Sequence, residues 1–359
     1  MKTIRAMQLS LLPLRPVAAL IVLVTSVPAA LAAETAPPPA AAYLPRAVQV
    51  MPDRPYVTRD GAVAIYGNDG LADVIAAFDQ LFMASHPNVR FATTMQGSST
   101  GMPALAADAT AFAPLTRDMW PGDRAAFRQI HGYDATAIRI GYNGYGPRAP
   151  YKTPPAVYVN VANPLAGLSL TQVAQIFTAG QDGGDVNLWS QLGLKGDWAA
   201  RRIHAYGLAD DGGFATGIRQ GKLGGKAFAM KYEALGSREA VLRAVAGDPY
   251  GIALLGWVDA AKTTKLVRVL PLAARDGGAF YTPRYDDIAN GRYPLAMPVQ
   301  FYVNRAPGQP LDPLVKEYLR LALSREGQAV LAAQKDTEEG YVPLSPGDLQ
   351  QELRKLQDL

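Results

Sequence analysis

Beyond residue 60, the chain alternates short runs of β-branched and aromatic residues with segments whose apolar residues recur every three or four positions. The first run, residues 62–66, predicts a strand, and the polar turn 67–70 follows it. The next apolar residues fall on one face of a helix: Leu71, Val74, Ile75, Phe78, Leu81 and Phe82. The order of strand, polar loop and helix predicts the α/β class.

The same order recurs along the chain. Residues 89–95 predict a strand, and the loop 97–101 precedes an alanine-rich helix. Ser169 with Gln172 forms a capping box, and Asp312 before Pro313 is typical of a helix start. Further strands are predicted at 110–113, 156–161, 251–255 and 266–270.

The first 33 residues predict a cleaved export signal. Lys2, Arg5 and Arg15 precede the apolar run 17–24, and small residues follow at 29–33, so cleavage is expected after Ala32 or Ala33. The apolar run is shorter than the ~20 residues that span a bilayer. We therefore expect no stable membrane anchor and a periplasmic or secreted location.

Composition and charge narrow the function classes. The 359 residues are 49% hydrophobic and 18% charged, which predicts a globular protein of two domains or two lobes. Without the three signal cations, 32 basic residues face 31 acidic ones, so a nucleic-acid partner is disfavoured. The Pro/Ala run 36–42 predicts an extended linker over 34–59, with folded structure from about residue 60.

The residue types disfavour catalysis and metal binding. The sequence contains no cysteine, and His86, His131 and His204 show no zinc-binding spacing. The serines of the loop 97–101 are out of register with a nucleophile elbow, and no Asp-then-His order follows them. We expect no catalytic residue, no metal and no cofactor.

Hydroxyl and glycine residues at several helix starts predict an anion site instead. Helix starts expose unpaired N–H groups and a partial positive charge, and a buried multivalent anion needs several such donors together. Each loop could also be no more than a helix cap. The candidate ligand-binding residues are Asn68, Asp69, Gly70, Leu71, Ser98, Ser99, Thr100, Thr116, Arg117, Asp211, Gly212, Gly213 and Phe214.

At these loops the chain resembles the PstS-like phosphate-binding proteins of ABC importers, a group of periplasmic binding proteins. The resemblance covers about residues 60 to 345. It is carried by the segments 67–71, 97–101, 113–119, 162–177, 324–328 and 340–344.

The resemblance implies a two-lobed α/β fold with the ligand held in a cleft that closes by hinge motion. Residues 60–155 and 265–345 would form lobe 1, residues 156–264 lobe 2, and residues 346–359 a C-terminal tail. It also implies an exported, non-enzymatic, monomeric solute-binding protein for an oxyanion, most of all inorganic phosphate, with ABC importer subunits as partners.

Two departures from the family pattern affect the predicted site. Phosphate binders of this group have an aspartate where this chain has Arg117, and an arginine before the lobe 2 loop that the segment 206–214 lacks. We hypothesise that Arg117 supplies the cation while Asp69 or Asp211 accepts a hydrogen bond from the ligand. Alternatively, Arg117 forms a surface ion pair with Asp118 or another acid.

The sequence also leaves two other functions open. A secreted PstS-like protein with a degenerate anion site would act as a binding or interaction protein. Its partner surface would include aromatic residues: Phe214, Trp257, Tyr281 and Tyr285. A phosphate-ester hydrolase is disfavoured because the metal ligands are missing.

Overall fold

Strands and helices alternate in the computed structural model, which describes residues 40–211 and 213–359. The predicted signal, residues 1–33, lies outside the described residues. The strands are β1 Val63–Gly67, β2 Phe91–Met95, β3 Ala113–Leu115, β4 Thr136–Asn143, β5 Ala156–Asn160, β6 Leu168–Ser169, β7 His204–Leu208, β8 Tyr232–Leu235, β9 Gly251–Leu255, β10 Val267–Val269, β11 Leu272–Ala273, β12 Met297–Val303 and β13 Val342–Pro343. The helices are α1 Ala72–Ser85, α2 Ser98–Ala106, α3 Pro121–His131, α4 Leu170–Phe177, α5 Phe214–Lys222, α6 Arg238–Gly247, α7 Tyr285–Ala289, α8 Pro313–Ala322, α9 Arg325–Ala333 and α10 Pro346–Gln357.

Two larger sheets organise the molecule. The first sheet is antiparallel, with strand order β13-β4-β12-β3, and the second is mixed, with order β10-β5-β9-β7-β8. The chain leaves the first sheet after β4 and returns to it at β12, while the second sheet takes its strands from residues 156–269. The α/β class is confirmed, and the assignment of residues to two lobes stays a prediction.

The helix signals in the sequence are confirmed. Ser169 Oγ accepts from the Gln172 N–H and Gln172 Oε1 accepts from the Ser169 N–H, while Asp312 Oδ1 accepts from the Leu314 N–H at 2.9 Å. The inward face of α1 is buried, with Leu81 half-buried at its margin. These caps satisfy donors that a helix start leaves without an intrahelical partner.

The strand predicted at 110–113 lies further along the chain. Residues 110–112 bond to β1 instead: Thr110 Oγ1 accepts from the Tyr66 N–H, and the Ala111 N–H donates to the Ala64 carbonyl. Regular strand begins at Ala113, where β3 pairs with β12. The apolar run predicted a strand in the correct part of the chain. The residue at which the strand begins depends on which neighbouring strand it can pair with.

The prediction that folded structure begins near residue 60 is wrong. Tyr43 Oη and the Arg46 N–H both donate to Glu317 Oε1, at 2.8 and 2.9 Å. Tyr56 Oη donates to Asp312 Oδ2 at 2.9 Å. The segment 40–59 is therefore hydrogen-bonded to α8 and to its cap, and it supplies donors to the buried carboxylate of Glu317. The composition of the Pro/Ala run gave no sign of these contacts.

The predicted C-terminal tail contains the packed helix α10. Ser345 caps the helix by accepting from the Asp348 N–H, and Leu349, Glu352 and Leu356 are buried where α10 meets β4 and α8. Their spacing places them on one helical face. Within the described residues, no helix is long and apolar enough to cross a membrane.

Candidate ligand-binding site

The first loop of the site follows β1 and is organised by Asn68. Its Oδ1 accepts from the Gly70 N–H at 3.0 Å, and its Nδ2 donates to Ser98 Oγ at 2.8 Å. Residue 67 is glycine because an added Cβ would lie 2.5 Å from Pro114. Asn68 thus ties the turn before α1 to the start of α2.

The second loop turns into α2 at Gly97, whose φ of +103° favours glycine. The first N–H groups of a helix have no intrahelical acceptor, so Ser98 and Ser99 offer backbone donors at the positive end of α2. Both residues line the cleft described below. Thr100 does not line it, and its hydroxyl donates to the Gly97 carbonyl at 2.8 Å.

Arg117 follows β3 and is engaged by the protein itself. Its Nη1 lies 2.7 Å from Asp123 Oδ2, its Nη2 donates to the Ser98 carbonyl at 2.9 Å, and its guanidinium lies 3.8 Å from the centre of the Trp120 ring. The alternative of an ion pair with Asp118 or another acid is confirmed for another acid, Asp123, but the pair is not on the surface: Arg117 is 6% exposed, and it reaches only the Asp118 carbonyl. Arg117 therefore holds the start of α2 through its hydrogen bond to the Ser98 carbonyl.

Polar groups on this side of the cleft remain available. The hydroxyl of Thr116 makes no hydrogen bond within residues 40–211 and 213–359. Arg117 Nε, Trp120 Nε1 and Asn143 Oδ1 are buried and have no partner in those same ranges. An unsatisfied buried polar atom costs about 1–3 kcal/mol, so this grouping is typical of a place where a ligand supplies the partners.

The third loop precedes α5, which begins at Phe214. Asp211 Oδ1 accepts from the Gly213 N–H at 3.2 Å, and Asp210 pairs with Arg219 of the same helix at 2.9 Å. Phe214 is 8% exposed. Asp211 lies in an adjoining cavity and not in the cleft, and Gly212 lies outside the described residues.

These loops meet at one cleft of about 450 Å³. Predicted residues on its wall are Asn68, Asp69, Gly70, Ser98, Ser99, Thr116, Arg117, Gly213 and Phe214. Leu71 is absent from the wall because its side chain is fully buried in the core. The wall combines the ends of β1, β2 and β3 from one side with the start of α5 from the other.

Sequence reasoning missed Arg238, the first residue of α6. Its Nε donates to the Gly256 carbonyl at 3.0 Å, and it forms no ion pair within the part of the chain that the structure describes. Arg238 lines the cleft. Ser237 is a typical helix-capping residue and could have indicated where α6 starts. A cap does not show that this helix start faces the cleft.

The cleft also contains an ion pair that the sequence did not reveal. Lys152 Nζ lies 2.8 Å from Glu339 Oε1 and 3.1 Å from Glu338 Oε1. Burial alone would lower the pKa of Lys152, but hydrogen bonds to the two carboxylates raise it above its usual value. Lys152 therefore stays charged and already compensated, in contrast to Arg238.

Comparison with known proteins places these features in a family. A model described as the PBP superfamily domain matches residues 58–326. The phosphate-binding protein PstS of Pseudomonas aeruginosa is 31% identical over 287 residues, which are 79% of this chain and 83% of that protein. The chain is a PstS-like member of the PBP superfamily. This family consists of substrate-binding proteins of transport and not of enzymes.

Solved structures share the two-lobed fold of this PstS-like protein. PstS from Borrelia burgdorferi has a TM-score of 0.54 at 16% identity and aligns over 79% of this chain and 99% of its own. An ABC-type phosphate transport receptor from Vibrio cholerae has a TM-score of 0.52 at 16% identity, over 79% of this chain and 100% of its own. At these identities the likeness establishes the fold alone.

In this PstS-like protein, an arginine reaches the cleft from a helix for which the sequence predicted no site residue. The segment before α5 lacks the arginine that the resemblance implied, and Arg238 enters the same cleft from α6. Asp69 also lines the cleft, on the side of α1. The cleft thus contains Arg238, which has no carboxylate partner among the described residues, and the carboxylate of Asp69. Arg117 also lines the cleft but is paired with Asp123, and Asp211 lies in the adjoining cavity.

The histidines of this PstS-like protein lie apart from the cleft. His86 contacts the carbonyls of Phe82 and Arg46, at 3.1 and 2.9 Å, and His204 Nδ1 lies 2.6 Å from Asp248. His131 contacts the Ala106 carbonyl at 2.9 Å. Among the described residues, no group of three or more His, Cys, Asp or Glu side chains could hold a metal ion.

Proposed function

We propose that this PstS-like protein captures inorganic phosphate in the cleft and delivers it to the membrane subunits of an ABC importer. The observation that carries the proposal is the meeting of separate donor loops at one cavity. The helix starts at Ser98 and Phe214 line a common space, and Thr116 and Arg238 line it as well. An oxyanion needs such converging donors because its burial without them is unfavourable.

The relatives support phosphate as the oxyanion. The Pseudomonas aeruginosa relative is named as a phosphate-binding protein, and the Vibrio cholerae structure as a phosphate transport receptor. Asp69 provides a chemical reason for this choice over sulfate. Its carboxylate repels a fully ionised anion but accepts a hydrogen bond from a phosphate that keeps a proton.

Capture and release involve no covalent chemistry in this proposal. The donor loops bind and orient the anion, Arg238 supplies the positive charge, and hinge motion between the lobes (residues 60–155 with 265–345, and 156–264) admits and releases it. The protein works as a monomer in the periplasm, or as a secreted protein, after its signal is cleaved.

Titration calorimetry of the exported protein with phosphate and sulfate tests the proposal. We expect saturable phosphate binding and much weaker sulfate binding. Arg238→Met should weaken phosphate binding by roughly 10- to 100-fold, because a charge-assisted hydrogen bond is lost. Arg243→Met is the matched control, since Arg243 is exposed on the same helix and does not line the cleft.

Two results would overturn the proposal. An equal loss in Arg238→Met and Arg243→Met would show that Arg238 does not contact the anion. Absence of binding to any oxyanion in the native protein would reject the transport function and favour the interaction protein with a degenerate site. Melting temperatures of both variants check that the fold is retained.

A further inference from the structure

The cleft is larger than a phosphate ion requires. Its volume of about 450 Å³ falls within the range of about 300–1,000 Å³ for pockets that enclose small organic molecules. It adjoins a second cavity of about 870 Å³. The two cavities share a wall formed by Lys152, Gly213, Phe214, Arg238 and Trp257.

The two sides of the cleft are in contact with each other beside this space. Helix α5, which packs on β7 of the second sheet, already contacts residues beside the first sheet. Lys222 Nζ donates to the Ala296 carbonyl at 2.7 Å, and the Trp120 ring lies 3.9 Å from the Cβ position of residue 217. The cavity is therefore present even though the two sides of the cleft already touch.

An aromatic pair stands at the shared wall. The rings of Phe214 and Trp257 meet edge to face, with centroids 5.0 Å apart. Residue 256 is glycine because an added Cβ would lie 2.8 Å from Phe214 Cε2. The close approach of these chain segments fixes the ring positions, and an aromatic pair favours a flat or apolar group beside it.

Trp257 adopts a backbone conformation that is unusual for its residue type. Its φ is +53°, and its N–H donates to the Thr153 carbonyl at 2.7 Å. A left-handed conformation costs roughly 1–2 kcal/mol in a residue other than glycine. Strain of this kind persists where the surrounding structure maintains it, and it clusters at ligand sites.

The anion donors and the aromatic pair are adjacent in the chain and in space. Phe214 is the first residue of α5, so its backbone N–H lies at the anion-binding end of the helix while its ring contacts Trp257. Arg238 donates to the carbonyl of Gly256, the neighbour of Trp257. One ligand can therefore meet a cation, a helix start and an apolar wall together.

We infer, on the basis of the proposed function, that the cleft binds phosphate monoesters with a compact apolar substituent. The phosphoryl oxygens lie against Arg238 and the start of α5, and the substituent packs on the Phe214–Trp257 pair. Inorganic phosphate occupies the same anion position without covering the aromatic wall. No bond is made or broken.

Calorimetry with inorganic phosphate, methyl phosphate and phenyl phosphate tests this inference. Phenyl phosphate should bind about tenfold more tightly than methyl phosphate, because only its ring covers the aromatic pair. In Trp257→Leu and Phe214→Leu, the ratio between the two ester affinities should fall towards one. Trp198→Leu is the control, because Trp198 packs against Trp189 and Tyr250 and does not line the cleft.

The outcomes separate this inference from the proposed function. If phosphate binds and phenyl phosphate binds no better than methyl phosphate, the aromatic wall has no role and the inference is rejected while the function stands. If the ratio is unchanged in both cleft variants, the ring lies elsewhere and the inference is likewise rejected. If no phosphate compound binds, both fail.

Discussion

At the scale of single residues, Asp79 shows how packing changes an acid. It lies on the buried face of α1, is 6% exposed and accepts a hydrogen bond of 2.7 Å from Tyr318 Oη. Phe82 and Phe112 pack around that tyrosine. Burial raises the pKa of Asp79 to about 7, although the hydrogen bond from Tyr318 opposes the increase.

The raised pKa predicts a pH dependence of stability. Because the unfolded pKa is about 3.9, the folded chain binds more protons than the unfolded chain between about pH 4 and 7. The favourable contribution of Asp79 to the free energy of unfolding is therefore present at low pH and lost as the pH rises to 7. Asp79→Asn should remove the dependence and raise stability at pH 8 by ~1–3 kcal/mol relative to the native chain.

Urea unfolding at pH 5, 6, 7 and 8 measures the effect. The exposed Asp73, on the same helix, provides the control variant Asp73→Asn, which should keep the native slope. If Asp79→Asn also kept the native slope between pH 5 and 7, the buried carboxyl would not be its source.

At the scale of elements, the start of α2 joins folding to binding. Gly97 introduces the helix in a conformation that favours glycine, and the serines after it face the cleft. Open space surrounds an added Cβ at this position, with its nearest neighbour 4.0 Å away. A side chain there would therefore strain the backbone without a steric clash.

Gly97→Ala should lower the free energy of unfolding by about 1–2 kcal/mol and weaken phosphate binding, since the backbone donors of Ser98 and Ser99 shift. Gly122→Ala is the control: residue 122 lies in the first turn of α3, has open space around it and is not in the left-handed region. Urea unfolding and calorimetry measure the two effects. Equal behaviour of the two variants would contradict the role of Gly97.

The elements were more predictable from sequence than the site. Caps and periodicity depend on neighbours in the chain, so the helices that follow Ser169 and Asp312 were predicted closely. The entry of Arg238 into the cleft depends on how α6 packs against the second sheet, which no local pattern records. The partner of Arg117 likewise depends on the tertiary position of Asp123.

At the scale of the whole molecule, residues 40–59 form part of the folded structure. They supply two hydrogen bonds to Glu317, which is 2% exposed and otherwise pairs with Arg320 at 2.5 Å. A composition of proline and alanine suggested a linker because it carries little apolar surface. The polar groups of a few residues after that run connect the segment to the rest of the fold through these hydrogen bonds.

A chain that starts at residue 60 should therefore lose about 2–4 kcal/mol of stability relative to one that starts at residue 40. The loss follows from leaving the buried carboxylate of Glu317 short of donors. Urea unfolding of the two purified proteins compares them directly. Equal unfolding midpoints would mean that residues 40–59 contribute nothing to the fold.

The placement of the tryptophans gives the protein an optical readout of its own. Trp120 and Trp257 lie on the cleft wall, whereas Trp189 and Trp198 pack against each other elsewhere. Ligand entry changes the polarity around the first two indoles and leaves the second pair in the same surroundings. Intrinsic emission can thus follow cleft occupancy in real time without an attached dye, with the distant pair as an internal reference.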